Sequence, residues 1–170
     1  MSTLAGGRLM SGVSPGKAAW SATDAAELYD VPRWGQGYFS VNEQGHLQVN
    51  PTKEPARSVD LKRLVDRLQL RGLAVPILLR FTDILKHRLG EIHGAFQSAI
   101  TQNQYQGKYI CVYPIKVNQQ RQVVEEVLNF GAPYGFGLEA GSKPELLAVS
   151  AMANNDTPII CNGFKDFEFI

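Results

Sequence analysis

The sequence predicts an α/β fold built on parallel strands. Two observations carry this expectation. Residues 108–170 alternate short apolar runs with stretches of helical spacing, in the order β-α-β-α-β with short connections. The first run, KYICVYPIKV, is apolar almost throughout, as a parallel strand covered on both faces would be. Strands are expected in KYICVYPIKV, YGFGLEA and TPIICNGF. Helices are expected over 119–130, where Val123, Val124, Val127 and Leu128 recur before Gly131, and over SKPELLAVSAMA. Ser142 and Glu145 have the spacing of a capping box, with Pro144 in the permissive first turn. FKDFEFI reads as the start of another helix.

Upstream, YFSVNEQGHLQV alternates polar and apolar residues around Gln44-Gly45 and predicts a short hairpin. A helix is expected after Ser58, with Leu61, Leu64, Val65 and Leu68 as its apolar stripe and Gly72 as its stop. VPILLRF predicts a short strand. A second helix, capped by Thr82 or Asp83, follows from Leu85, Leu89, Ile92, Phe96 and Ala99. Residues 1–33, rich in Gly and Ser at the start, are expected to be a loose leader. Residues 34–55 form the N-terminal β segment, and 56–170 the first part of the α/β domain. Three parallel strands leave an open edge, so the chain is expected to be the N-terminal part of a longer protein.

The chain has 170 residues, 44% of them hydrophobic, with 17 basic and 16 acidic side chains. That suffices for one domain with a core. Balanced charge argues against a general polyanion binder, and no nucleic-acid partner is expected. No apolar run reaches the roughly 18 residues of a membrane span, and the N-terminus lacks a secretory apolar core. A cytoplasmic location without membrane partners is expected. Cys111 and Cys161 lie in apolar runs and read as buried, reduced thiols. His46, His87 and His93 show no metal-ligand spacing.

Lys116 stands out. It sits where the first strand should end, and in α/β barrels that end faces the site. The two-residue period puts Val112, Pro114 and Lys116 on one face. Partial desolvation there would lower the amine's pKa and free its lone pair for condensation with an aldehyde. The commoner alternative is a strand-end lysine that snorkels to water. Asn118, Glu139, Ser142 and Asn162 fall at matching places, just beyond or at the ends of successive strands. Singly, Ser142 reads as a cap and Asn162 as a turn residue.

Taken in order, YPIKVNQQRQVVEEVL, FGLEAGSKPELLAV and IICNGFKD resemble the biosynthetic arginine decarboxylase family. WGQGYFSVNEQGHLQV and LLRFTDILKHRL resemble it in the same order, so the likeness covers about residues 34–170. The resemblance implies the first strands and helices of a (β/α)8 TIM barrel that binds pyridoxal 5'-phosphate, incomplete here. It implies that Lys116 holds the cofactor as a Schiff base, and that Glu139 and Ser142 help shape the site. Asn118 and Asn162 are possible lining residues. It further implies L-arginine as substrate, agmatine and CO2 as products, polyamine synthesis as the context, and a homo-oligomer at full length. A magnesium requirement goes with the family. The glycine-rich phosphate loop and the rest of the substrate pocket would lie on later strands. Two alternatives stay open: a related decarboxylase for ornithine or diaminopimelate, or a truncated, non-catalytic chain.

Overall fold

The computed structural model describes residues 19–169. Ser21 opens helix α1 (Ala22–Leu28) with a reciprocal cap. Its hydroxyl accepts the Asp24 N–H at 3.2 Å, and the Asp24 carboxylate accepts the Ser21 N–H at 2.8 Å. Helix α2 (Val31–Gly35) follows, with Pro32 in its first turn and Val31 only 4% exposed. The expected loose leader, 1–33, is therefore corrected from Ala22 onward, where capping and the buried Val31 order it. Its first eighteen residues lie outside the described ones.

The predicted hairpin forms from β1 (Phe39–Val41) and β2 (Leu47–Val49), antiparallel with Phe39 opposite Val49. A third strand that the sequence did not announce, β3 (Val59–Asp60), pairs with β2 and sets Val59 opposite the fully buried Val49. Helix α3 (Leu61–Leu70) starts two residues later than expected, on Asp60, whose carboxylate accepts the Arg63 N–H at 3.0 Å. Ser58 does not cap it. Its hydroxyl lies 2.6 Å from both Asn50 Oδ1 and the Pro55 carbonyl. Gly72 does end the helix, in the left-handed region at φ 86°.

VPILLRF is not a strand. Residues 77–81 run without a ladder partner among the described residues, and Leu78 is 76% exposed. Helix α4 (Thr82–Gln102) begins at Phe81 without a side-chain cap, so neither Thr82 nor Asp83 plays that role. Asp83 instead sits in the first turn, where its charge suits the helix dipole. Leu89 is its buried apolar residue, and Phe96 stacks on Tyr109 at 3.9 Å between ring centroids.

The second sheet is the parallel unit expected, with order β4-β5-β6. It comprises β4 (Val112–Pro114), β5 (Gly137–Ala140) and β6 (Ile159–Cys161), joined through α5 (Arg121–Gly131) and α6 (Lys143–Met152). One face carries the core. Ile115, Leu138 and Ala140 pack with Val124 of α5 and Val149 of α6, each at most 2% exposed. The Gly137 N–H donates to the Cys111 carbonyl at 2.9 Å. Ladder groups of Cys111 and Tyr113 thus face β5, and alternation turns the Pro114 nitrogen to the opposite edge. A proline can sit there because no β5 carbonyl needs its missing donor. Both cysteines are free, but neither is buried as expected: Cys111 is half-buried, and Cys161 is exposed because no element covers β6 on its outer side among the described residues. The expected final helix is a single turn, with Phe169 N–H on the Asp166 carbonyl at 3.0 Å.

Candidate functional site at the ends of the parallel strands

Leu138 and Ala140 face the helices, so Glu139 between them faces the other side of the sheet. In register it lies beside Pro114 on β4 and Ile160 on β6. Lys116 comes two residues after Pro114, but not on a continuing strand. The chain turns at Ile115 into a 3-10 turn, Ile115–Val117. Ile115 itself stays in the core at 2% exposure. The shared face expected for Val112, Pro114 and Lys116 therefore ends at Pro114. Lys116 is exposed, and no described residue gives its ammonium a hydrogen bond or ion pair. The desolvation expected for it is not supplied by the described residues.

Glu139 and its neighbours form a compact cluster. A Cβ built on Gly141 would lie 3.6 Å from Glu139 Oε1 and 3.3 Å from Glu145 Oε2, so two carboxylates flank that glycine. Ser142 caps α6 by accepting the Glu145 N–H at 3.4 Å. The expected capping box is displaced by one residue: the Glu145 carboxylate takes the Gly141 N–H at 2.6 Å. Asn162 prolongs the β6 ladder, its N–H donating to the Ala140 carbonyl at 2.8 Å. Its side-chain oxygen accepts the Gly163 N–H at 3.0 Å. Gly163, at φ 79°, passes so close to the Gly141 carbonyl that a Cβ would meet it at 2.6 Å. The β5 and β6 ends are thus drawn together around Glu139, Gly141, Ser142 and Asn162.

Asn118 is placed differently. It lines a cavity of about 450 Å³ between α4 and α5, with Leu79, Arg80 and Gln122, and without the other four candidates. Its side-chain oxygen accepts the Gln120 N–H at 3.1 Å, and Gln120 Oε1 accepts from Arg80. Its carbonyl accepts the Tyr113 hydroxyl at 3.2 Å. Nothing in the sequence signals that bond, since a tyrosine in an apolar run reads like a phenylalanine.

Competing lysines are otherwise engaged or placed. Lys143 pairs with Asp166 at 2.8 Å and Glu168 at 2.6 Å. Lys165 donates to the Gly163 carbonyl at 2.9 Å and lies over the Phe169 ring. Lys108 precedes β4, at the opposite end of the strand from Lys116. Among the described residues, no group of three or more His, Cys, Asp or Glu side chains could hold a metal ion.

No family model matches the chain. Individual proteins do. The biosynthetic arginine decarboxylase of Rhodopirellula baltica is 55% identical over 151 residues, covering 89% of this chain and 23% of that protein. That of Gloeobacter violaceus is 51% identical over 154 residues, covering 89% and 24%. The chain belongs to the biosynthetic arginine decarboxylase family, as part of its N-terminal portion. The crystal structure of the Campylobacter jejuni biosynthetic arginine decarboxylase matches with a TM-score of 0.73 and 38% identity, over 84% of this chain and 23% of that one. The α/β fold of this chain is thus the fold of that part of an arginine decarboxylase. The chain spans about a quarter of the length of the arginine decarboxylases it matches.

Proposed function

We propose that this chain is the part of an arginine decarboxylase that supplies the cofactor lysine, Lys116. On this reading the complete protein converts L-arginine to agmatine and CO2, feeding polyamine synthesis. The three parallel strands are the first of a (β/α)8 barrel. The observation that carries the reading is the placement of Lys116. It is an exposed amine that no described residue engages, in the turn just past the C-terminal end of the parallel strand whose Pro114 lies beside Glu139.

Pyridoxal phosphate fits this arrangement in the respects the residues can test. Among the described residues nothing engages the amine, and the competing lysines of the same region are ion-paired, carbonyl-bound or at the other strand end. When bound, the cofactor supplies an electron sink for loss of CO2. Lys116 would hold it, while Glu139 and Ser142 shape the rim where β5 ends. For magnesium, the described residues offer no cluster of three or more His, Cys, Asp or Glu side chains.

A second reading, that the 170-residue chain is not catalytic by itself, is favoured by β6. Ile159 is 37% and Ile160 50% exposed, so no described residue covers the sheet on that side.

The test is chemical trapping. The chain is incubated with pyridoxal phosphate, reduced with borohydride and mapped by peptide mass spectrometry. The adduct is expected on Lys116 above every other lysine, and Lys116→Ala removes it. Preferential labelling of Lys108, Lys143 or Lys165 would refute the assignment. In the complete protein, Lys116→Ala is expected to abolish both the visible cofactor absorbance and decarboxylation.

A further inference from the structure

We propose that the Tyr113 hydroxyl is a positioning group for Lys116. This rests on the reading of Lys116 as the cofactor lysine. Lys116 lies in a three-residue turn with no side-chain cap, and both it and Val117 are exposed. Nothing in the turn itself fixes where the amine points. Two anchors flank it. On one side the Ile115 side chain is buried in the core. On the other, the Asn118 carbonyl accepts the Tyr113 hydroxyl at 3.2 Å. Lys116 is therefore strung between a packed side chain and a pinned carbonyl.

Tyr113 suits this work. Its ring packs against the cluster of Ile115, Val124, Leu138, Ala140 and Val149. It stands on the last regular strand before the turn, so the hydroxyl reaches past the turn from a rigid base. Burial pushes its phenol pKa up, which keeps the hydroxyl protonated as a donor. The pin continues beyond Asn118: the Asn118 side chain holds the Gln120 N–H, and Gln120 is held in turn by Arg80. Phenylalanine at 113 would fill the same space and leave the Asn118 carbonyl without this donor.

The experiment compares the wild-type chain with Tyr113→Phe. Each is incubated with pyridoxal phosphate and quenched with borohydride at timed intervals. Label on Lys116 is then measured relative to Lys108 in the same molecules. The variant is expected to lower the Lys116:Lys108 ratio about five-fold, the effect of one net hydrogen bond. Amides of residues 115–120 should exchange faster, while the unfolding midpoint moves by only a few degrees. Replacing Tyr113 with 4-aminophenylalanine, which keeps a donor at the ring's far end, should restore the ratio. A loss of packing alone would not be rescued in this way. An unchanged ratio in Tyr113→Phe would overturn the proposal with the Lys116 reading intact. No preference for Lys116 in the wild-type chain would refute that reading and the proposal with it.

Discussion

Lys53 Nζ lies 2.6 Å from Glu91 Oε1, joining the turn after β2 to the middle of α4. Glu91 is a meeting point. Arg88 Nη1 sits 2.6 Å from its other oxygen, and the Tyr38 hydroxyl donates to that oxygen at 3.2 Å. Tyr38 also lies 2.7 Å from His87 Nδ1, with Lys53 over its ring. The N-terminal sheet is therefore fastened to α4 by charge as well as by packing.

The Lys53 hydrogen bond, then that of Arg88, lowers the Glu91 carboxyl pKa from 4.5 to about 2. A depressed carboxylate stabilises the fold fully above its unfolded value and loses that contribution as pH falls. Replacing it with Glu91→Gln at neutral pH should cost about 1 kcal/mol, a figure discounted because the side chain is one-third exposed. The melting temperature of the wild type should fall towards that of the variant between pH 4.5 and about 2. Melting curves of both across that range check the sign, and a gap that widened on acidification would contradict it.

Gly137→Ala should be severely disruptive. A Cβ there would sit 2.2 Å from the Pro158 carbonyl, and backbone cannot yield as a side-chain tip can. A loss of about 3 kcal/mol is expected, from overpacking between β5 and the start of β6. Urea unfolding followed by circular dichroism would measure it.

Leu138→Ala probes the other face of the same strand. Leu138 is fully buried among Ile115, Val124, Ala140 and Val149, so truncation should cost about 2–5 kcal/mol through lost burial and the cavity left behind. The urea midpoint should drop with little change in slope.

Ser142 separates capping from site-lining. Ser142→Ala removes the acceptor for the Glu145 N–H and should cost about 1 kcal/mol, whereas Ser142→Gly should cost only a few tenths. If, on the proposed function, the alanine and glycine variants of the complete protein lost activity equally despite that difference in stability, Ser142 would serve the site as well as the helix.

Local pattern made the parallel unit legible, because its apolar runs and helical periods are long enough to set type and order. Its limits were set by tertiary packing. The strand through Lys116 reads as continuous, yet it ends at Pro114 and passes into a 3-10 turn. VPILLRF has strand composition, but a strand also needs a neighbour. Ser58 and Asp60 are both good caps by residue type. Asp60 wins because Asn50 and Pro55 already engage the Ser58 hydroxyl. The order of residues put Lys116, Glu139 and Ser142 at or just past strand ends, where the structure has them. It could not show that Asn118 faces a cavity between helices, or that Tyr113 holds its carbonyl.

Pro114 has a further consequence, for how copies of the chain would meet. An intruding strand adds to a sheet by matching donors with acceptors along an edge. The outer edge of β4 lacks a donor at Pro114, just where the strand gives way to the turn. The outer side of β6 has no such gap and presents Ile159 and Ile160. Among the described residues, an added strand would therefore meet a missing donor at β4 and none missing along β6.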